Sequence, residues 1–118
     1  MALITYNQNE RTNRQERIPM GNFEDYRRIH CLGIGGIGLS AVAEILADNG
    51  HIVSGTDIKA SDVTKHLESK GIKLYYSHEP ENVEGVDAIV YSAAISDENP
   101  EVVRAKELKI PLFSRAEV

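Results

Sequence analysis

The chain has 118 residues, 42% of them hydrophobic and 26% charged, enough for one globular domain with a real core but short of a two-domain enzyme. A net charge of −5 argues against nucleic acid as the main partner, and no apolar run approaches membrane-spanning length. The single cysteine, Cys31, excludes an internal disulfide and suits a reducing cytoplasm; inside an apolar strand it reads as a buried core thiol, not a nucleophile.

Residues 1–27 read as a flexible polar leader, Arg/Asn/Gln-rich and without periodicity, with Phe23 to Arg27 as the approach to the first strand. From Arg28 the pattern changes. Arg28 to Leu32 predicts a buried strand, and Gly33-Ile34-Gly35-Gly36-Ile37-Gly38 fits G-x-G-x-x-G. Gly33 suits the tight exit from the strand, Gly35 leaves room for a diphosphate, and Gly38 lets the next helix lie close on the sheet. That helix, with Ile37, Ala41, Ile45 and Leu46, and Val42 and Ala43 between them, as its apolar face, ends near Asn49-Gly50. Its free N–H groups would meet an anion without a lysine, and none of the Gly-Lys-Ser/Thr of an ATP loop follows.

A second strand, His51 to Thr56, ends at Asp57, about twenty residues past the glycines, where a ribose-binding carboxylate belongs. Ser61 is the expected cap of a helix over Asp62 to Lys70, with Val63 and Leu67 buried and Gly71 as its stop. Ile72 to Tyr76 is the third strand, a polar loop with a helical turn after Pro80 follows, and Val86 to Tyr91 is the fourth. Ser92-Ala93-Ala94-Ile95 leaves it with small residues. Asn99 caps and Pro100 opens a helix to Leu108, Ile110 to Ser114 is a fifth strand, and Arg115-Ala116-Glu117-Val118 looks like a helix just beginning. The expected fold is a Rossmann-like, doubly wound parallel α/β/α sheet of five strands in order 3-2-1-4-5. Ligands of such sheets sit at the carboxyl ends of the strands, here between strands 1 and 4.

These motifs resemble the Mur ligases. The resemblance is carried by Ile29-His30 before the glycine run, Ser54-Gly55-Thr56-Asp57, His78 with Glu81-Asn82-Val83, Ser92-Ala93-Ala94-Ile95-Ser96, Asn99-Pro100-Glu101 and Arg115-Ala116-Glu117. It covers residues 28–118, with small departures at Thr56, Leu39 and Cys31-Leu32. The closing runs look like the branch that joins L-alanine to UDP-N-acetylmuramate, with the tripeptide-adding branch as the rival. The resemblance implies that this chain is the UDP-binding first domain of a larger, truncated enzyme of peptidoglycan synthesis. ATP and Mg2+ would then be used elsewhere in the full-length protein, with no cofactor, metal or catalytic residue in this part.

On that resemblance, backbone N–H groups of Gly35, Gly36, Ile37 and Gly38 are expected to hold the diphosphate, and Asp57 the uridine ribose. His78 would face the uracil or ribose, Ser92 and Ala93 would line the floor, and Arg115 would face the sugar or phosphate. A backbone-bonded His78 and a salt-bridged Arg115 are the alternatives, and Ser40 and Asn99 read as helix-start residues. An NAD-binding domain of an oxidoreductase and a nucleotide-sensing module are the rival readings of the same glycines and Asp57.

Overall fold

The computed structural model describes residues 23–115, so the leader before Phe23 and the last three residues lie outside the described part. Five parallel strands form one sheet in the order β3-β2-β1-β4-β5: β1 Arg28–Leu32, β2 Ile52–Thr56, β3 Lys73–Tyr75, β4 Ala88–Tyr91 and β5 Leu112–Ser114. The helices are α1 Ile37–Asp48, α2 Asp62–Ser69 and α3 Pro100–Glu107, with a 3-10 turn at Pro80–Val83. Fold class and strand order are as expected: the crossover-length connections require parallel pairing, since parallel neighbours cannot be joined by a hairpin, and the order is that of a doubly wound sheet.

The β1 side chains alternate between two cores. Ile29 and Cys31 pack with Leu39, Val42, Ala43 and Leu46 of α1, whereas Leu32 packs with Ile89, Val102 and Ala105 toward α3. Burial without a charged neighbour pushes the Cys31 thiol up to about 12, so it stays protonated and inert, as the sequence predicts. Phe23 is fully buried and stands edge-on to Phe113 at 5.2 Å between ring centres. This packing takes Phe23 to Arg27, placed with the leader on sequence grounds, into the folded unit.

Two helix faces differ from expectation. In α1 the buried row is Leu39, Val42, Ala43 and Leu46, while Ile37 is 92% exposed and Ala41 and Ile45 also face out. Ser40, Glu44 and Asp48, at i, i+4 and i+8, put the polar side of the helix next to Ile37 and Ala41, so the i, i+3, i+4, i+7 row from Leu39 on the opposite side is the one buried. In α2 the buried pair is Thr64 and Leu67, not Val63 and Leu67. Thr64 can be buried because its hydroxyl is satisfied: it accepts from Ser61 N–H at 2.8 Å and donates to Ser61 O at 3.0 Å. Thr64 N–H in turn donates to Ser61 Oγ at 3.3 Å, completing a reciprocal cap.

Gly55, in the middle of β2, exists for its neighbour. A Cβ there would overlap Ile34 Cδ1, and would stand 2.7 Å from Ile34 Cβ and 2.9 Å from the Cys31 carbonyl. Ile34, fully buried, thereby turns inward from the glycine loop onto the sheet. Gly55→Ala is expected to destabilise by about 1–3 kcal/mol through overpacking. In a denaturant-melting cycle its cost should be smaller in an Ile34→Ala background, by about 0.5 kcal/mol or more; strict additivity would remove Ile34 as the cause.

Candidate functional site

At the carboxyl edge of the sheet, between β1 and β4, lies an open cleft of about 430 Å³, a size suited to a small-molecule ligand. Gly33 and Gly36 of the loop after β1 line it, with Asp57 and Ile58 after β2, His78 after β3, and Ser92, Ala94, Ile95, Ser96 and Asn99 after β4. Of the residues singled out from the sequence, Gly36, Asp57, His78 and Ser92 therefore meet in one cavity, while Ala93 is exposed beside them. Gly35, Ile37, Gly38 and Arg115 stand next to the cleft without lining it. Ile58, Ala94, Ile95, Ser96 and Asn99 are additions; Asn99 is also the α3 cap, accepting from the Glu101 N–H at 2.8 Å.

The glycine loop is rigid because it is internally bonded. Gly33 and Ile34 donate to the Thr56 carbonyl at 2.8 and 3.2 Å, and Gly36 donates to the Gly33 carbonyl at 3.0 Å. Gly35 donates to Asp57 Oδ2 at 2.9 Å, and the other Asp57 oxygen accepts from Lys59 N–H at 3.1 Å. Gly33 has φ +80, and a Cβ there would lie 2.6 Å from Ser92 Oγ, so backbone and neighbour both demand glycine. The physical roles of the other two glycines differ from expectation. A Cβ on Gly35 would meet Asp57 Oδ2 at 2.7 Å and Thr64 Cγ2 at 3.3 Å, so its space is the carboxylate's. The atoms that a Cβ on Gly38 would meet first are those of the Arg115 guanidinium, Nε at 2.8 Å, and none of them belongs to the sheet.

With the loop's own N–H groups used, the unpaired donors move one step along the chain. Ile37, Gly38 and Leu39, the first turn of α1, have N–H groups with no partner among the described residues. No side chain caps this helix and no acidic residue lies in its first turn. The first turn thus carries the partial positive charge of a helix end with no acid of its own, and Arg115 lies against it.

The most heavily bonded group beside the cleft is one that the sequence did not single out as functional. Glu101, in the first turn of α3, is fully buried. Its Oε1 accepts from His30 Nε2 at 2.7 Å and Thr56 Oγ1 at 3.0 Å. Its Oε2 accepts from His78 Nδ1 at 3.1 Å, the Glu79 N–H at 3.2 Å and Asn82 Nδ2 at 3.0 Å. His30, buried in the central strand, completes its own bonding with Ser54 Oγ, 2.6 Å from Nδ1. Burial alone would raise the Glu101 pKa. The hydrogen bond and charge of His30, with the bonds from Asn82 and Thr56, outweigh it and hold the carboxyl below its ordinary value. Among the described residues no group of three or more His, Cys, Asp or Glu could hold a metal ion.

A family model described as "Mur ligase family, catalytic domain" matches residues 28–118. Over 94 residues the chain is 48% identical to the UDP-N-acetylmuramate--L-alanine ligase of Clostridium novyi (strain NT), covering 80% of this chain and 20% of that protein. The crystal structure of UDP-N-acetylmuramate-alanine ligase MurC from Thermotoga maritima superposes with a TM-score of 0.73 at 38% identity, covering 75% of this chain and 21% of that one. The UDP-N-acetylmuramate:L-alanyl-gamma-D-glutamyl-meso-diaminopimelate ligase from Neisseria meningitides gives 0.70 at 27% identity, covering 75% of this chain and 28% of that one. The chain spans about a fifth of the length of the alanine-ligase relatives.

The buried carboxylate makes a testable demand. Because its folded pKa is depressed, its contribution is fully present above the ordinary glutamate value of 4.5 and is lost as pH falls through the lower folded value. Glu101→Ala is expected to cost about 3–5 kcal/mol at neutral pH by leaving donors buried and unpaired. Glu101→Gln, measured by urea melts between pH 7 and pH 3, should show a flatter loss of stability below 4.5 than the parent. Parallel curves would mean that Glu101 does not titrate as described.

Proposed function

The chain belongs to the Mur ligase family, and from that premise we propose that it holds the UDP part of UDP-N-acetylmuramate. On this reading residues 28–118 are the substrate-binding first domain of a longer, ATP-dependent enzyme that joins L-alanine to that substrate in peptidoglycan precursor synthesis. The observation that carries the reading is the uncapped start of α1: three N–H groups, no acidic residue in the first turn, and the Arg115 guanidinium against Gly38, following a glycine loop that lines a ligand-sized cleft. A diphosphate is the ligand chemistry that such an end attracts most strongly, even on a chain of net charge −5.

The diphosphate lies over the N–H groups of Ile37, Gly38 and Leu39 with Gly36 beneath, and Arg115 adds charge. Gly35 contributes indirectly, by fixing Asp57. Each Asp57 oxygen accepts one backbone N–H and keeps lone pairs for ribose hydroxyls. His78 meets the base or ribose, and Ser92 and Ala93 form the floor. Over the same share of the chain, 38% identity with the alanine ligase structure against 27% with the tripeptide enzyme favours L-alanine as the amino acid added.

ATP and Mg2+ do not fit this part of the protein. Its glycine run continues Leu39-Ser40 with no lysine, so no P-loop is present, although the matched family model carries the word catalytic. Phosphoryl transfer would then belong to residues beyond the fifth of its relatives that this chain spans. No helix among the described residues is long and apolar enough to cross a membrane, in keeping with work on nucleotide substrates in the cytoplasm.

The ligand class is decided by thermal unfolding. UDP at a hundred times its Kd should stabilise the chain by about 2.7 kcal/mol, a melting shift of roughly ten degrees or more. NAD and NADP should shift it far less. A larger shift with NAD would give the site to the dinucleotide reading.

A further inference from the structure

Glu101 lies outside the cleft, yet it dictates what His78 shows to it. Two of the three groups facing Glu101 Oε2 are donors by their chemistry. The Glu79 N–H is one. Asn82 Nδ2 is the other, because it also lies 2.9 Å from the Ser77 carbonyl oxygen, which can only accept. An oxygen that receives those bonds, in a carboxyl whose other oxygen receives His30 and Thr56, accepts from His78 as well. The His78 proton therefore sits on Nδ1. Nε2 has no partner among the described residues, on a side chain 17% exposed that lines the cleft.

We propose that Glu101 is a positioning residue: by holding the His78 proton on Nδ1, it presents Nε2 to the cleft as a bare hydrogen-bond acceptor for an N–H or O–H of the bound nucleotide. This rests on the cleft being a nucleotide site. The donor has two possible sources, the imide N–H of uracil and a ribose hydroxyl. A carboxylate that merely held the loop in place would be indifferent to which ring nitrogen carries the proton. Here the ring's inward nitrogen is fixed by chemistry, so in the neutral ring its outward nitrogen is fixed too.

The first test needs no ligand. Long-range ¹H–¹⁵N spectra of the labelled chain should show His78 with its proton on Nδ1 and Nε2 bare; a proton on Nε2, in a neutral or a charged ring, overturns the proposal. The second measures binding of UDP, N3-methyl-UDP, and 2′-deoxy- and 3′-deoxy-UDP. One analogue should bind the parent about three- to tenfold more weakly than UDP, which identifies the donor. That discrimination should disappear in His78→Ala and equally in Glu101→Gln, with the double variant no worse than either. Equal binding of UDP and all three analogues by the parent, or discrimination that survives Glu101→Gln while His78→Ala abolishes it, overturns the positioning role. Failure of the parent to bind UDP overturns the functional reading instead, and leaves the tautomer measurement to decide this one, as it does should Glu101→Gln not fold.

Discussion

A single buried carboxylate ties the cleft to the core. Removing a charge from water costs several kcal/mol, and Glu101 meets that cost with five donors drawn from three parts of the chain. His30 comes from the central strand, Thr56 from the end of β2, and His78, Glu79 and Asn82 from the segment after β3. Glu101 itself stands at the start of α3. The carboxyl ends of strands far apart in sequence are thereby locked to the helix that covers one face of the sheet. A site built there inherits a fixed geometry, which is what a binding constellation requires.

The glycine loop supplies the second constraint, and it divides the labour between loop and helix. Gly33, Ile34, Gly35 and Gly36 have their N–H groups bonded inside the fold, to Thr56, Asp57 and one another. The loop is thus a frame and not itself the cradle. The donors that remain belong to Ile37, Gly38 and Leu39, and the missing cap at Gly36 keeps them free. A Ser, Thr or Asp in place of Gly36 would have stabilised α1 by only about a few tenths of a kcal/mol; leaving it out keeps the helix end open for an anion.

Much of this was legible in the residues. Parallel pairing followed from crossover lengths, Asn99-Pro100 and Ser61 marked two helix starts, and the glycine spacing marked the site. What was not legible depends on long-range proximity. Glu101 reads locally as an ordinary acidic residue in a first helical turn, and only the fold brings it to His30, 71 residues away. A signal was nevertheless present: a histidine in the apolar run Ile29-His30-Cys31-Leu32 must find a polar partner if buried. The rotation of α1 was legible in part, since Ser40, Glu44 and Asp48 form a polar stripe opposite the Leu39 row, although apolar residues also flank that stripe. The need for glycine at position 55 was not legible either, because only the fold brings Ile34 into its space.

The central claim, that the nucleotide's phosphates lie on the first turn of α1, is tested most directly by assigning the amide spectrum of the ¹⁵N-labelled chain and titrating it with UDP and with uridine. The account predicts that the amide signals of Ile37, Gly38 and Leu39 move strongly with UDP and much less with uridine, which lacks the diphosphate. Residues near Asp57 and His78 should respond to both. Phosphate-dependent shifts that bypass the start of α1, or gather at another helix end, would contradict it.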